Sequence, residues 1–320
     1  MTTIITAGSR YVDIDVLASG IAYKQLLNLQ RQESTLCLSG PFNATIPREM
    51  RLYGETEVYC KEPAIEDEDV FVIVDVSNPH YFSSFVNLNQ VIAVFDHHFG
   101  FEKYWHARLH EMAKIEAVGA CATLIWEAYV QAEQLDKMPQ MTAKLLYLAI
   151  ISNTLNFRAH VTHQRDRNAA VDLLARLPAE HDYVSEYYRE IESSISNDLA
   201  MTIKSDTKEV LIQNPNLTFQ FSQIELWDSE KFLKKHSAEK IRSLMSSMFP
   251  DKSWLLSLVS VKAGYNYLLS NSSTIIEKIS KVIASKNNAL VMQTERLWLR
   301  KEILRLIESP LHGNEKQNRV

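Results

Sequence analysis

Two apolar runs in the first half of the chain each end at an acidic residue. Residues 70–74 read Val-Phe-Val-Ile-Val and lead into Asp75, and residues 91–95 read Val-Ile-Ala-Val-Phe and lead into Asp96-His97-His98. A short apolar run without alternation is typical of a strand that is buried on both faces of a parallel sheet. Open α/β sheets bind their ligands at the carboxyl ends of such strands. The pattern therefore predicts a parallel sheet with acids and imidazoles along one edge.

Strands and helices alternate through the first 180 residues. Besides the two runs above, the predicted elements are strands at 4–7 and 34–38 and helices at 16–29, 119–130 and 143–151. Strands that alternate with helices form βαβ units, so the sheet should be parallel. We therefore expect an α/β fold for residues 1–180, with helices on both faces of the sheet.

A second, smaller α/β domain is expected over residues 198–311. It follows a charged, helical connector at 181–197, where His181-Asp182-Tyr183 indicates a break between helices. The predicted elements of this domain are strands at 209–212, 217–224 and 253–261 and helices at 229–248 and 297–307. The last residues, 312–320, are polar and should fray. A length of 320 residues suits two domains of ordinary size.

Charge and composition exclude several classes of protein. The net charge is −5, from 34 Lys plus Arg against 39 Asp plus Glu, so general nucleic-acid binding is not expected. No run approaches the ~18 apolar residues of a membrane span, and the first residues lack the basic segment of a signal peptide. Three scattered cysteines, Cys37, Cys60 and Cys121, form no disulfide framework and no CxxC pair. We expect a soluble, cytoplasmic protein without a membrane partner, and a homodimer stays open.

Acidic and imidazole groups recur at three predicted strand ends. Asp13 and Asp15 follow the first strand, Asp75 follows the central strand, and Asp96-His97-His98 follows the next. A mixture of carboxylate and imidazole favours Mn²⁺, Co²⁺ or Zn²⁺ over Ca²⁺. Two cations ~3.5–4 Å apart that share one carboxylate would stabilise the attacking and leaving oxygens of a phosphoryl transfer. Asp75 is the natural bridge because its strand has the strongest buried pattern.

Each of these groups also has a purely structural interpretation. Asp13 and Asp15 could cap the following helix, and Asp75 could be a turn residue. His97 and His98 could be hydrogen-bonded polar residues at a domain interface. Gly119-Ala120-Cys121 could let backbone N–H groups approach an anion, or could permit close packing of a helix on the sheet. Because the groups occur together at three strand ends, the metal site is the favoured interpretation.

The chain resembles the DHH phosphoesterase superfamily, and within it the family II inorganic pyrophosphatase and exopolyphosphatase branch with a DHHA2-type C-terminal domain. The resemblance rests in the first half on residues 13–19, 74–75, 96–98, 119–125, 152–157 and Asp166. In the second half it rests on residues 206–209, 221–225 and 300–301. It covers nearly the whole chain and is stronger in the first half.

The resemblance implies a metal-dependent phosphohydrolase that binds a small phosphorylated substrate in a cleft between two domains. The metal would be Mn²⁺, with Mg²⁺ or Co²⁺ as alternatives, held by Asp13, Asp15, Asp75, His97 and Asn153. His98 would contact the phosphate or assist proton transfer, and Asp96 would orient its neighbours. Lys208, Arg300 and Lys301 would bind the phosphates, although such residues are often just a solvated face.

Two positions depart from the family pattern. Ser9 stands where the pyrophosphatases carry a histidine, and Asn153 stands where they carry an aspartate. Asparagine offers only a neutral oxygen, so metal affinity should fall and one of two metal sites could be lost. Two functions follow as hypotheses: a phosphohydrolase with another substrate or with one metal, or a weakened relative that binds a phosphorylated ligand as a regulatory module. The intact Asp75 and His97 favour the enzyme.

Overall fold

The structure is a computed structural model that describes residues 1–58, 63–212, 216–287 and 291–308. It divides into two compact units, Met1–Ile191 and Glu192–Val320. Cys37 and Cys121 are buried, whereas Cys60 and the predicted polar tail at 312–320 lie outside the described residues. Within the described ranges, each helix is too short or too polar to cross a bilayer.

The first unit is built on a five-stranded parallel sheet, which confirms the prediction. Its strands are β1 (Thr3–Thr6), β2 (Ser34–Leu36), β3 (Val70–Val74), β4 (Val91–Asp96) and β5 (Ala113–Ile115). They lie in the order β2-β1-β3-β4-β5, and every neighbouring pair is parallel. The central strand β3 is buried, as its unbroken apolar run predicts. The carboxyl ends of β3 and β4 therefore carry Asp75 and Asp96 to the same edge of the sheet.

Six helices lie within this unit in the described residues, and a seventh runs across the boundary after Ile191. They are α1 (Ile14–Leu29), α2 (Arg48–Glu57), α3 (Glu102–Leu109), α4 (Cys121–Gln131), α5 (Gln140–Asn153), α6 (Gln164–Leu174) and α7 (Tyr183–Asn197). Short 3-10 turns occupy Pro79–Tyr81, Leu88–Gln90, His110–Met112 and Leu135–Lys137. The break predicted at 181–183 is confirmed, since α7 begins at Tyr183.

The first helix begins two residues earlier than predicted because Asp13 caps it. Asp13 Oδ1 accepts hydrogen bonds from the backbone N–H groups of Asp15 and Val16, both at 3.0 Å. A capping side chain of this kind satisfies backbone donors that the first helical turn leaves unpaired. The capping interpretation is therefore correct for Asp13, and it fixes the loop that follows β1.

The second unit contains a six-stranded mixed sheet with helices. Its strands are β6 (Lys208–Ile212), β7 (Leu217–Leu226), β8 (Ser253–Ser260), β9 (Tyr265–Ser270), β10 (Ser285–Asn287) and β11 (Met292–Thr294). The strand order is β10-β11-β9-β8-β7-β6, in which only β7 and β8 pair in parallel. Its helices are α8 (Leu199–Asp206), α9 (Ser229–His236), α10 (Ala238–Met248), α11 (Ser273–Val282) and α12 (Arg300–Glu308).

The single helix predicted at 229–248 is wrong, because two helices occupy this stretch. Ser237 separates them with a φ of +50°, a left-handed conformation that does not continue a helix. Its hydroxyl accepts a hydrogen bond from the backbone N–H of Lys240 at 3.3 Å, so the same residue caps α10. Apolar periodicity alone predicts one helix here, since the interruption depends on the backbone of one serine.

Gly119 lies where a helix and a loop approach too closely for a larger residue. A Cβ atom on Gly119 would lie 2.5 Å from Cγ2 of Thr154 and 2.8 Å from Oδ2 of Asp166. The backbone N–H of Gly119 donates a hydrogen bond to that same Asp166 oxygen at 2.8 Å. Gly119 is therefore a site of close packing, but against the end of α5 and against α6 instead of against the sheet.

We predict that Gly119→Ala destabilises the folded protein by about 1–3 kcal/mol, the usual effect of inserting an atom into a packed site. The added methyl group must push either Thr154 or Asp166 away. The measurement is the free energy of unfolding in urea. Gly8→Ala is the matched control, because its added Cβ would lie 3.4 Å from the Tyr81 carbonyl oxygen, an ordinary contact. Equal stability of the two variants would contradict the packing argument.

Candidate metal centre

Asp75 lies directly after β3 in an unusual backbone conformation. Its φ is +58°, and its N–H donates to the carbonyl oxygen of Phe95 on the neighbouring strand at 2.8 Å. A left-handed conformation costs a non-glycine residue about 1–2 kcal/mol, although aspartate tolerates it better than most. The side chain is only 6% exposed, and Oδ1 is buried without a hydrogen bond. A buried acceptor in this state is unfavourable, so this oxygen requires a partner such as a cation.

His97 directs one ring nitrogen at this carboxylate. Nε2 lies 3.3 Å from Oδ1 of Asp75 and 3.9 Å from Oδ2 of Asp15. Nδ1 lies 3.3 Å from the carbonyl oxygen of Val118, which can only accept, so Nδ1 is the donor. In this tautomer, Nε2 is the nitrogen that carries the lone pair, and it faces the carboxylates. Metal-binding histidines are commonly oriented in this way, by a carbonyl on the opposite ring nitrogen.

Asp96 holds the His97-His98 segment in place. Its Oδ1 accepts from the backbone N–H of His97 at 2.8 Å and of His98 at 3.1 Å, and from Nδ1 of His98 at 2.8 Å. Burial acts to raise the pKa of Asp96, but the hydrogen bond and the charge of His98 outweigh it and lower that pKa. Asp96 was predicted to orient its neighbours, and these contacts fit that role.

His98 is the solvent-facing member of the group. Its side chain is 60% exposed, and Nδ1 lies 3.9 Å from Oδ1 of Asp75. Burial acts to lower the pKa of His98, but the hydrogen bond to Asp96 and the charge of Asp75 raise it above the usual value. Because Nδ1 is bonded to Asp96, Nε2 is the nitrogen that remains for a ligand.

Asp15 is bound by the first turn of α4. Its Oδ2 accepts from the N–H of Cys121 at 2.9 Å, and its Oδ1 accepts from the N–H of Ala122 at 2.8 Å. The anion at this helix N-terminus is therefore a carboxylate of the protein itself. Burial raises the pKa of Asp15 to about 6, with a further increase from Asp13 and a decrease from His97 and the α4 amides. This side chain is fixed beside His97.

Several carboxylates lie close together around Asp75, as they do in cation-binding sites. Burial, followed by the charges of Asp15 and Asp13, raises the pKa of Asp75 well above its usual value. Burial also raises the pKa of Asp13, despite the hydrogen bond from Val16. One ligand atom each from Asp75, His97 and His98 lies within 4.8 Å of the other two. Carboxylate oxygen with imidazole nitrogen suits a divalent transition metal, so the residues present fit such an ion.

Asn153 ends a helix, and Ser9 lies in the loop between β1 and α1. Asn153 is the last residue of α5, and its Nδ2 donates to the carbonyl oxygen of Ala149 at 3.2 Å. The backbone N–H of Ser9 donates to the carbonyl oxygen of Tyr81 at 3.0 Å. Neither contact links the side chain of Asn153 or of Ser9 to Asp75, so the ligand role of Asn153 stays a prediction.

The predicted phosphate-binding residues belong to the second unit. Lys208 begins β6 and Lys301 lies in the first turn of α12, and both are exposed. Arg300 is instead only 15% exposed, and its Nη1 donates to the carbonyl oxygen and to Oδ2 of Asp206, both at 2.7 Å. Arg300 is therefore not simply an exposed, solvated residue, because it is largely buried and forms an ion pair with Asp206.

Glu225 lies in the segment 221–225 that carries the resemblance, where it was given no role of its own, and it is close to Arg300 and Asp206. It accepts a hydrogen bond at 3.0 Å from Nε2 of Gln223, whose Oε1 accepts from the N–H of Arg300 at 2.7 Å. Burial, with the charge of Asp206, raises the pKa of Glu225 to about 7. The sequence feature that could have drawn attention to Glu225 is an acidic residue within the largely apolar strand β7. A carboxyl group with a pKa of about 7 is thus close to the Arg300–Asp206 pair.

We predict that Glu225 makes the protein less stable as the pH rises. The pKa of Glu225 is higher in the folded state than the ordinary value of 4.5. The folded state is therefore favoured most below pH 4.5, and this stabilisation is lost as the pH rises through about 7. Glu225→Gln mimics the protonated carboxyl, and should exceed the wild type in stability at pH 8 by on the order of 1 kcal/mol. Urea unfolding at pH 5 and pH 8 measures the difference. An equal difference at the two pH values would contradict this assignment.

Part of the chain matches a known protein family. Residues 3–150 match the family model described as DHH family, N-terminal domain. A probable manganese-dependent inorganic pyrophosphatase of Lactobacillus johnsonii is 27% identical over 166 residues, which are 52% of this chain and 52% of that protein. The chain thus spans about half the length of such relatives. The manganese-dependent inorganic pyrophosphatase of Bacillus subtilis is 24% identical over 304 residues, 91% of this chain and 94% of that protein.

A solved structure shares the fold. It is a Methanococcus jannaschii protein assigned to the family II inorganic pyrophosphatases, with a TM-score of 0.63 and 19% identity. The match covers 97% of this chain and 100% of that chain. At this identity the likeness shows the fold, and the α/β fold class predicted for both domains is confirmed.

Proposed function

We propose that this chain, whose residues 3–150 match the model of the DHH family N-terminal domain, is a metal-dependent phosphohydrolase that cleaves a small phosphoanhydride or phosphoester. The observation that carries the proposal is the buried, unbonded Oδ1 of Asp75, with Nε2 of His97 3.3 Å away. The names of the related proteins support manganese as the metal and a small phosphorylated molecule as the substrate.

The residues of the first unit divide into metal-binding and orienting groups. Asp13, Asp15, Asp75 and His97 would hold the ion, with Asp75 shared if there are two. Mn²⁺, or Mg²⁺ or Co²⁺ in its place, would supply polarisation of a phosphoryl oxygen and of water. Val118 keeps the Nε2 lone pair of His97 aimed at the carboxylates, and Asp96 keeps Nδ1 of His98 occupied. These contacts fix the imidazoles before a substrate arrives.

His98 is the proton donor in this proposal. In hydrolysis, a water oxygen forms a bond to phosphorus and releases one proton to solvent, while the bond from phosphorus to the leaving oxygen breaks and the leaving oxygen takes a proton from His98, which solvent then restores. The exposed imidazole of His98 has a raised pKa because of Asp96 and Asp75, so a larger fraction is protonated near neutral pH. Lys208, Lys301 and Arg300 would bind the phosphate oxygens, although Arg300 is also paired with Asp206.

Ser9 and Asn153 favour a second candidate function. With fewer anionic or imidazole ligands than the family pattern, the chain could bind a phosphorylated ligand without cleaving it, as a regulatory or interaction module. A colorimetric screen for released phosphate, run with Mn²⁺, Mg²⁺ and Co²⁺ on pyrophosphate, short polyphosphate and nucleotides, separates the two. Release above the metal-free background supports the hydrolase, and binding without release supports the module.

We predict that Asp75→Ala abolishes phosphate release and weakens Mn²⁺ binding. The loss should exceed the roughly 10- to 100-fold seen when a residue that only orients a ligand is removed, since Asp75 is a ligand itself. Titration calorimetry with Mn²⁺ measures it. Asp136→Ala is the control, because the Asp136 side chain is fully exposed. Unchanged Mn²⁺ binding in Asp75→Ala would end the proposal.

We predict that Lys208→Ala and Lys301→Ala each raise KM. Loss of one charge-assisted hydrogen bond to phosphate corresponds to about 1.5–3 kcal/mol, or roughly 10- to 150-fold. Both lysines are exposed, so folding should be little affected, whereas Arg300→Ala would also break the Asp206 pair. Mn²⁺ affinity should not change. Lys235→Ala, another exposed lysine, is the control, and a wild-type KM in both test variants would place these lysines outside the site.

A further inference from the structure

Arg165 joins three elements beside the segment that orients His97. It lies in the first turn of α6, and its side chain is 30% exposed. Its Nη1 lies 2.6 Å from Oε2 of Glu116, the residue that follows β5. Its Nε and Nη2 donate to the two carboxylate oxygens of Glu127 on α4, at 2.6 and 2.5 Å. One guanidinium group therefore connects α6, α4 and the segment after β5.

Glu116 begins the segment whose carbonyl group contacts His97. The N–H of Glu116 donates to the carbonyl oxygen of Asp96 at 3.1 Å, and the N–H of Val118 donates to the carbonyl oxygen of Glu116 at 2.9 Å. The carbonyl oxygen of Val118 lies 3.3 Å from Nδ1 of His97. Because Val118 is only two residues from Glu116, a displacement of Glu116 would also move the carbonyl group that selects the tautomer of His97.

The other end of this segment is fixed by the residue next to Arg165. The Asp166 side chain is fully buried, and its Oδ2 accepts from the N–H of Gly119 at 2.8 Å. The first turn of α6 thus holds residues 116–119 at both ends, through Arg165 at Glu116 and through Asp166 at Gly119. A segment that is held at both ends keeps its carbonyl groups in one place.

Removal of the Arg165 charge would leave two carboxylates close together. Glu116 and Glu127 contact the same guanidinium group, and their side chains are 36% and 23% exposed. Like charges repel each other, and partly buried charges are screened less by salt than exposed ones. Lys114 lines the same cavity, but within the described residues it forms no ion pair with either glutamate. We expect Glu116 to move, since Glu127 belongs to a regular helix.

We propose that Arg165 is a positioning residue of the metal centre. Through Glu116 it holds the carbonyl group of Val118 at Nδ1 of His97, so that Nε2 is the nitrogen left for the metal. The inference rests on the proposed function, because it names a further residue on which the proposed metal site depends. Ion pairs between partly exposed side chains usually contribute little to stability, so the main effect of Arg165 should be on His97.

The first test measures Mn²⁺ affinity by calorimetry in Arg165→Gln. Loss of a residue that orients a metal ligand typically weakens metal affinity about 10- to 100-fold, and we expect roughly tenfold here because Arg165 acts through other residues. Glu116→Ala, which removes the other partner of the same contact, should show the same loss. This second variant keeps the test valid if Arg165→Gln does not fold.

Two control variants separate this role from a general effect on packing. Glu127→Gln removes the charge of the other glutamate but keeps the contact between Arg165 and Glu116. Arg176→Gln removes an arginine just after α6 that is 25% exposed and pairs with two other acids. Both controls should bind Mn²⁺ like the wild type.

The second test needs neither metal nor turnover. Nitrogen NMR of the metal-free protein, at an alkaline pH where ordinary imidazoles are neutral, shows which ring nitrogen of His97 carries the proton. The His97 signals are assigned by their absence from the spectrum of His97→Gln. We expect the Nδ1–H form in the wild type and in both controls. Arg165→Gln and Glu116→Ala should show a mixture with the Nε2–H form.

An unchanged tautomer of His97 in Arg165→Gln and Glu116→Ala would overturn the inference, and so would wild-type Mn²⁺ affinity in both variants. An equal loss of affinity in Glu127→Gln would also overturn it, since that variant keeps the contact to Glu116. Absence of Mn²⁺ binding by the wild type would instead overturn the metal centre of the proposed function. The tautomer would then still decide whether Arg165 orients His97.

Discussion

The buried carboxylate of Asp75 is the constraint on which the first unit depends. Its backbone adopts a left-handed conformation held by the carbonyl oxygen of Phe95, and one oxygen is buried without a hydrogen bond. Burial and the neighbouring Asp15 raise its pKa, so a negative charge here is unfavourable in the protein alone. A divalent cation would reverse this, because it neutralises the carboxylates and replaces the missing partner. The unfavourable environment of the Asp75 carboxylate is therefore the one that a bound cation would stabilise.

The carboxylates around Asp75 are held by backbone N–H groups and by a buried network. The first turn of α4 donates to Asp15, while Gly119 and Thr123 donate to Asp166 at 2.8 and 2.6 Å. Asp166 also accepts from the N–H of His163 and so caps α6. The N-terminal end of α4 therefore fixes two carboxylates. One is the predicted metal ligand Asp15, and the other is Asp166, which joins α4 to α6. Rigid support of this kind is what a metal site needs to keep its ligands in position.

Much of this arrangement could be predicted from the sequence. Unbroken apolar runs at 70–74 and 91–95 predict buried parallel strands, and their shared edge brings Asp75 together with His97. The strand β5 was missed because three residues are too few to show a period. The left-handed backbone of Asp75 and the break at Ser237 depend on tertiary contacts and on single φ angles, which no hydrophobic pattern reports. The pairing of Arg300 with Asp206 joins residues 94 positions apart, so a spacing argument could only suggest a solvated face.

The proposed metal site lies between Asp75 and His97. Anomalous diffraction at the manganese absorption edge, from crystals grown or soaked with Mn²⁺, would locate the ion. We expect an anomalous peak within about 2.0–2.3 Å of the Asp75 carboxylate and of Nε2 of His97, as for other oxygen- and nitrogen-bound divalent ions. A fully occupied peak elsewhere, or no peak at this edge of the sheet at saturating Mn²⁺, would contradict it.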